Sequence, residues 1–340
     1  MVFLSIRAYA GSGVILERLN RGKFSGNRVS QPAYIGLYEE GLLEERIQKA
    51  EEMLKKCRVC PRECGVDRLA EEQGVCRTGA RAMVSSYSPH FGEEDPLVGT
   101  GGSGTIFITN CNHLCAFCQN YDISHQGRGR EVGPEVLAGR MVELKKSGCH
   151  NINFVSPSHV VPQILKALPY AIEAGLDVPL VYNSGGYDSI ETLKLLDRVF
   201  DIYMPDFKFW DNEVSMKYCG IPDYQEKACE ALREMHRQVG DLEIDEQGLA
   251  TRGLLVRHLV LPQGLAGTKQ ICSFLAEKIS QGTYVNIMGQ YHPSGEARDY
   301  PELSRALKRD ELETAKQMAL EVGLDRLDER RRRSFLVFSR

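Results

Sequence analysis

The sequence predicts an α/β fold: a partial, open (β/α)6 barrel with a small cysteine-rich metal-binding module ahead of it. Two observations lead there. From Gly99 onward, short apolar and often β-branched runs alternate with longer helical stretches, the pattern of repeated strand–helix units. Before that point, four of the eleven cysteines crowd into "CRVCPRECGVDRLAEEQGVC", as Cys57, Cys60, Cys64 and Cys76. Right-handed crossovers force the helices onto one side of a sheet that curls. Reactive groups in such folds gather at the C-terminal ends of the strands.

Residues 1–35 show no sustained period and are rich in Gly, Ser, Asn and Arg, which suits a poorly ordered arm. Residues 36–98 read as a helix plus the four-cysteine module. "EEGLLEERIQKAEEMLKK" (39–56) sets Leu42, Leu43, Ile47, Ala50 and Leu54 along one helix face. Pro61, Gly65 and Gly74 then let a short chain turn back around an ion. Residues 99–295 form the core. Its strands are expected at 105–109 ("TIFIT"), 151–155, 178–182, 200–204, 254–261 and 284–288. Helices fit at 135–147, 159–174, 190–196, 224–239 and 267–279. Residues 296–340 make a C-terminal helical extension whose tail, "DERRRRSFLVFSR", reads as a solvated end.

With 340 residues, 42% hydrophobic and 26% charged, and a formal net charge of -4, the chain has the composition of an ordinary globular protein. It lacks the basic excess of a general nucleic-acid binder. No apolar run nears the roughly 18 residues that cross a bilayer, and "MVFLSIRAYAGSGVILERLN" meets Arg and Gly too early for a secretory signal. A cytoplasmic location without membrane partners is expected. In that reducing setting clustered thiols point to metal ligation. The scattered Cys149, Cys219, Cys229 and Cys272 read as small buried hydrophobes.

The stretch "NCNHLCAFCQNYD" places Cys111, Cys115 and Cys118 in a C-x3-C-x2-C spacing directly after the first core strand. A structural zinc takes four protein ligands and a cubane takes one thiolate per iron, so three cysteines leave one coordination position open. A zinc site completed by His113 or His125 is the competing reading of the residues, and unligated thiols are a third.

C-x3-C-x2-C after a first barrel strand resembles the signature of the radical S-adenosylmethionine (SAM) superfamily, and "FCQN" is similar to its form in glycyl-radical-enzyme activases. The segments "CRVCPRECGVDR", "GSGTIF", "CQNYDIS", "NINFVSPSH", "YNSGGYDS", "MPDFKF", "RHLVLP" and "VNIMGQYHP" resemble the PflX-like branch of pyruvate formate-lyase activating enzyme homologues, from about Cys57 to Pro293. The resemblance implies that Cys111, Cys115 and Cys118 hold three irons of a [4Fe–4S] cluster and that SAM fills the fourth. It also implies reductive cleavage of SAM to a 5′-deoxyadenosyl radical that abstracts hydrogen, with a glycyl radical enzyme as protein substrate and a flavodoxin- or ferredoxin-type electron donor. The hard chemistry is the cofactor's, and the protein supplies position, cluster potential and exclusion of water.

Other strand ends carry polar residues suited to a SAM pocket. The superfamily's Gly-Gly-Glu-like segment is replaced by "SPSH". Ser158 and His159 stand as acceptors for the SAM ammonium, against a plain Ser/Pro turn that caps the next helix. Asn183 and Ser184 precede a Gly185–Gly186 pair that lets backbone approach a ligand. Asp206 and Lys208, two apart, share one face of an extended chain. The activases have a similar Asp-x-Lys, which implies contacts to SAM or substrate; a structural ion pair is the alternative. Arg257 offers a planar fork for the SAM carboxylate. The family likeness places His292, near Gln290, by the adenosine, against a structural histidine. Gln119 and Asn120 read as hydrogen-bond donors near the cluster, and Phe117 resembles the residue that packs on adenine. Gly101–Gly104 suit a turn, since no Lys-Ser/Thr follows as in a phosphate loop.

The spacing C-x2-C-x3-C-x11-C of the N-terminal set closes a site with no vacancy, as a structural zinc or a second Fe–S cluster. Three functions follow for the whole chain. The first is a radical SAM oxidoreductase, as a glycyl-radical activase. The second is radical modification of a small molecule, peptide or RNA. The third is a metal-binding scaffold without catalysis.

Overall fold

The structure, a computed structural model, describes residues 31–329. The basic tail and most of the expected arm lie outside them. Helices α1 (Ala33–Glu39) and α2 (Leu42–Lys55) come first. The arm therefore ends earlier than residue 35: Tyr34 and Leu37 of α1 are fully buried, and the Tyr34 hydroxyl donates to the Val178 carbonyl. Gly41, in the left-handed region, separates α1 from α2, so the helix expected over 39–56 begins at Leu42. Helix α2 buries Leu43, Ile47, Ala50, Met53 and Leu54, while Leu42 is exposed.

Strand β1 (Ala82–His90) and the short helix α3 (Asp95–Val98) follow. Next come β2 (Ser103–Ile108), α4 (Tyr121–Ser124), β3 (Arg130–Val132), α5 (Pro134–Lys146), β4 (Ile152–Val155), α6 (Val161–Glu173), β5 (Leu180–Asn183), α7 (Ile190–Leu195) and β6 (Ile202–Tyr203). The chain ends with α8 (Asn212–Cys219), α9 (Tyr224–Val239), β7 (Glu243–Ile244), β8 (Ala250–Leu259), α10 (Thr268–Phe274), β9 (Tyr284–Met288) and α11 (Arg309–Glu321).

Six strands run parallel in the order β2-β4-β5-β6-β8-β9, one for each expected core strand. Among the described strands β9 does not pair with β2, so the barrel is open. The expected 36–98 module is corrected here. Strand β1 belongs to the main sheet, antiparallel to β2 and with β3 on its outer edge. Its burial is patchy and Pro89 sits near its end, which suits an edge and hides it from an apolar pattern.

The parallel strands are buried on both faces, as helix-covered parallel sheets must be. Ile106, Phe154 and Tyr182 pack outward against Met141, Ile164 and Leu168 of the helices. Leu97, Val181, Ile202, Met204 and Leu255 form a separate inner cluster. The segment between β1 and α3 crosses the open side: His90 is in register with Ser103 of β2, and Glu94 accepts from Asn286 of β9 at 2.7 Å.

Candidate active site

Registers Phe107↔Val155 and Val155↔Asn183 set three inward side chains in a row across β2, β4 and β5 at their C-terminal ends. All three line one cavity of about 600 Å³. Cys111, Cys115, Phe117, Cys118, Gln119, Asn120, Asn183, Ser184, Asp206, Lys208, Arg257 and His292 line the same cavity. The site is thus assembled from residues scattered over almost two hundred positions of sequence.

The cysteine loop starts at Asn110 and turns again at Leu114, both with positive φ, 69° and 54°. Such conformations cost non-glycine residues about 1–3 kcal/mol each and persist only where the surroundings fix them. The His113 N–H lies 3.4 Å from Cys111 Sγ, and the Ser124 hydroxyl donates to Cys118 Sγ at 3.1 Å. Burial pushes the Cys111 thiol up to about 12 and raises Cys118. Cys115 is raised first by its contact with the Cys219 thiol and then by burial. Thiols so placed stay protonated unless a metal's positive charge removes the proton. Cys219, read from sequence as a small hydrophobe, is therefore a neighbour of this loop. Among the described residues no trio of His, Cys, Asp and Glu is placed to hold a single metal ion. His125 stacks on Tyr121, its Nδ1 2.8 Å from the Ser124 hydroxyl, and the buried His113 leaves both ring nitrogens without a hydrogen-bond partner. Three thiols at a cavity wall with hydrogen-bond donors to two sulfurs fit three corners of a [4Fe–4S] cubane, each sulfur serving its own iron.

Across the cavity runs an ion network. Asp206 accepts from Lys208 Nζ at 2.5 Å and from Arg257 Nε at 2.7 Å. Arg257 also reaches Asn183 Oδ1 at 2.7 Å and lies 3.6 Å from Glu93. Burial alone would raise the Asp206 carboxyl, but Arg257 and Lys208 outweigh it and hold it down at about 2. Burial would likewise lower Lys208, yet Asp206 keeps it raised and charged. The shared face expected of Asp206 and Lys208 is realised, with both turned into the cavity. Gly186 makes the adjoining turn possible: its φ is +80°, and a Cβ there would lie 2.3 Å from the Asp206 carbonyl.

Two expected SAM contacts are not in the cavity. Ser156, with φ 60°, turns the chain after β4 so that Ser156 itself faces the cavity while Ser158 and His159 turn away. Ser158 lies buried near Asp188 and Tyr182. His159 Nε2 sits 3.1 Å from the Thr109 carbonyl, and its ring borders the small cavity lined by Cys57, Cys60, Cys64 and Cys76. Gln119 is turned from the cysteine loop as well, its amide donating to the Gln290 carbonyl at 3.0 Å. Phe117 packs edge-on against Phe209 and Tyr291.

Sequence reading missed Glu93 and Glu94. Both are buried in the cavity wall, and Glu94 Oε2 has no hydrogen-bond partner although Oε1 is held by Asn286. An unpartnered buried carboxyl oxygen is costly. The acidic "FGEEDP" carries no sign of this, because only the crossing of the barrel's open side buries it.

A strand-end cysteine loop, an open parallel barrel and a charged inner wall lie within or beside residues 105–241, the stretch that matches the family model of the radical SAM superfamily. That family implies an enzyme holding a [4Fe–4S] cluster and SAM. The chain is 32% identical over 294 residues to an uncharacterized protein of Methanocaldococcus jannaschii, covering 84% of this chain and 80% of the relative. Among solved structures it is similar to a domain of pyruvate-formate lyase-activating enzyme from Bacteroides vulgatus, with 14% identity, coverage of 56% of this chain and 88% of that one, and a TM-score of 0.33. It is also similar to Streptococcus suis SuiB bound to S-adenosylmethionine, with 12% identity, coverage of 63% and 45%, and a TM-score of 0.42. Among the described residues no helix is long and apolar enough to cross a membrane.

Proposed function

We propose that Cys111, Cys115 and Cys118 hold the cluster, that SAM lies along the Asp206–Lys208–Arg257 wall, and that the protein activates a glycyl radical enzyme as a PflX-like activase. The observation that carries the site assignment is that the three thiols and the charged network line one cavity. When bound, cluster and SAM supply one-electron cleavage of the sulfonium to a 5′-deoxyadenosyl radical. The chain's own residues orient and enclose. Arg257 and Lys208 present cations held in fixed positions by Asp206, suited to a carboxylate. Asn183 and Ser184 add polar atoms at the neighbouring strand end. Phe107, Phe117 and Met288 keep the wall apolar, which strengthens those contacts. The activase role draws on the Asp-x-Lys and "FCQN" likeness.

Anaerobically reduced protein incubated with SAM is expected to yield 5′-deoxyadenosine, and a glycyl radical by electron paramagnetic resonance when a matching partner enzyme is present. 5′-Deoxyadenosine without a radical on any candidate partner would turn the assignment toward a small-molecule, peptide or RNA substrate. No cleavage at all would leave only the metal-binding scaffold.

A further inference from the structure

The N-terminal four-cysteine segment touches the catalytic cysteine loop through two arginines. Arg62, between Cys60 and Cys64, spends its whole guanidinium on main-chain carbonyls: Nε on Asn112 at 2.9 Å, Nη2 on Cys219 at 2.9 Å and on His113 at 3.4 Å, and Nη1 on Gly220. Arg77, next to Cys76, donates to the carbonyls of His125 at 2.6 Å and Ser124 at 3.4 Å. The carbonyl of Arg77 and the Thr78 hydroxyl in turn accept from the Asn110 amide at 3.4 and 3.2 Å. These contacts fall on the two flanks of the loop. Asn110 and Leu114, its two left-handed non-glycine residues, sit beside the gripped carbonyls. A planar five-donor fork suits several carbonyls at once, which a lysine cannot serve.

We infer that Arg62 and Arg77 are positioning residues through which the four-cysteine segment holds the catalytic cysteine loop in its ligating shape. The inference rests on the proposed function for the identity of the ligands, and on geometry alone for the grip. The loop's turns are unfavourable in isolation. Beside the two arginines the loop is held by the Asn112 amide on the Tyr187 carbonyl, the Ala116 N–H on the Tyr218 carbonyl and the Asn110 N–H on the Ile123 carbonyl, none of which reaches the carbonyls that Arg62 and Arg77 take. The four-cysteine segment thereby becomes a condition for assembling the catalytic site, although none of its thiols lines the large cavity.

Amide hydrogen exchange of the full chain, read by mass spectrometry before iron and sulfide are added, tests this. Arg62→Ala and Arg77→Ala are each expected to speed exchange in 110–125 by about tenfold or more, with β4 and β5 unchanged. Arg62→Lys is expected to behave like Arg62→Ala, because a point donor cannot span the four carbonyls. After anaerobic loading, the variants are expected to hold less iron per chain, and the cluster that remains to show a shifted midpoint potential. Wild-type exchange in Arg62→Lys and Arg77→Ala would overturn the inference, whatever Arg62→Ala does to global folding. Because exchange is read on the unloaded protein, this outcome is separate from failure of SAM cleavage.

Discussion

Replacing Cys111, Cys115 and Cys118 together by alanine is expected to abolish SAM cleavage, a loss of about 10⁶-fold or more, while the chain still folds. The separation follows from where the sulfurs sit. They line a cavity wall and do not join strands, and each truncation removes one sulfur from a loop whose main chain is held elsewhere, so stability changes by about 1 kcal/mol per site. Iron, acid-labile sulfide and zinc counting on wild type and variant checks it. Four irons are expected to disappear. Metal that stays in the triple variant would support a site at Cys57, Cys60, Cys64 and Cys76, which line one small cavity with Arg68 and His159. One zinc or four further irons would distinguish the two metals expected for it. Equal cubane content in both proteins would remove the assignment of the catalytic cysteines.

The second large effect is expected at Asp206. Its carboxylate is the one anion paired with Lys208 among the described residues and the closer of two for Arg257, and the side chain is 14% exposed. Asp206→Ala leaves two cations in a poorly solvated wall. Removing one partner of a buried pair costs about 3–5 kcal/mol, so the midpoint of denaturant unfolding should fall accordingly. SAM cleavage should fall with it, since both cations lose their fixed positions. The acid limb supplies an independent check. Asp206 is held at about 2 in the fold against an ordinary 3.8, so its stabilisation is complete above pH 3.8 and is lost as pH falls toward 2. Wild type should steepen its loss of stability in that window, and the Asp206→Ala variant should lack that component. An unchanged midpoint at neutral pH would mean that the network is solvated and does not order the wall.

The six parallel strands were legible because burial on both faces writes them as continuous apolar runs. The cysteine loop was legible because three thiols crowd within eight residues chiefly where they bind metal. Asp206 and Lys208 followed from strand parity, and beyond the end of β6 Asp206 still bridges to Arg257 of β8. The contacts expected after β4 did not follow. Ser156 takes a left-handed turn that nothing in "SPSH" announces, and it moves Ser158 and His159 out of the cavity. Strand β1 escaped because, past its short pairing with β3, it carries Ser and Pro and has no apolar alternation to read. Glu93 and Glu94 escaped for a tertiary reason: an acidic turn looks solvated until the chain is seen to cross the open side of the barrel, where Asn286 meets it. Arg62 and Arg77 are of the same kind, since their partners are main-chain carbonyls far along the chain.

The central claim is that one iron on the Cys111–Cys115–Cys118 loop is left for a ligand that the protein does not supply. Electron paramagnetic resonance of the reduced, anaerobically loaded protein, recorded before and after SAM is added, addresses it most directly. The account predicts a changed spectrum with SAM, and hyperfine coupling to nitrogen-15 and oxygen-17 when the amino and carboxylate groups are labelled. An identical spectrum in both states, or coupling to a protein nitrogen at that iron, would contradict it.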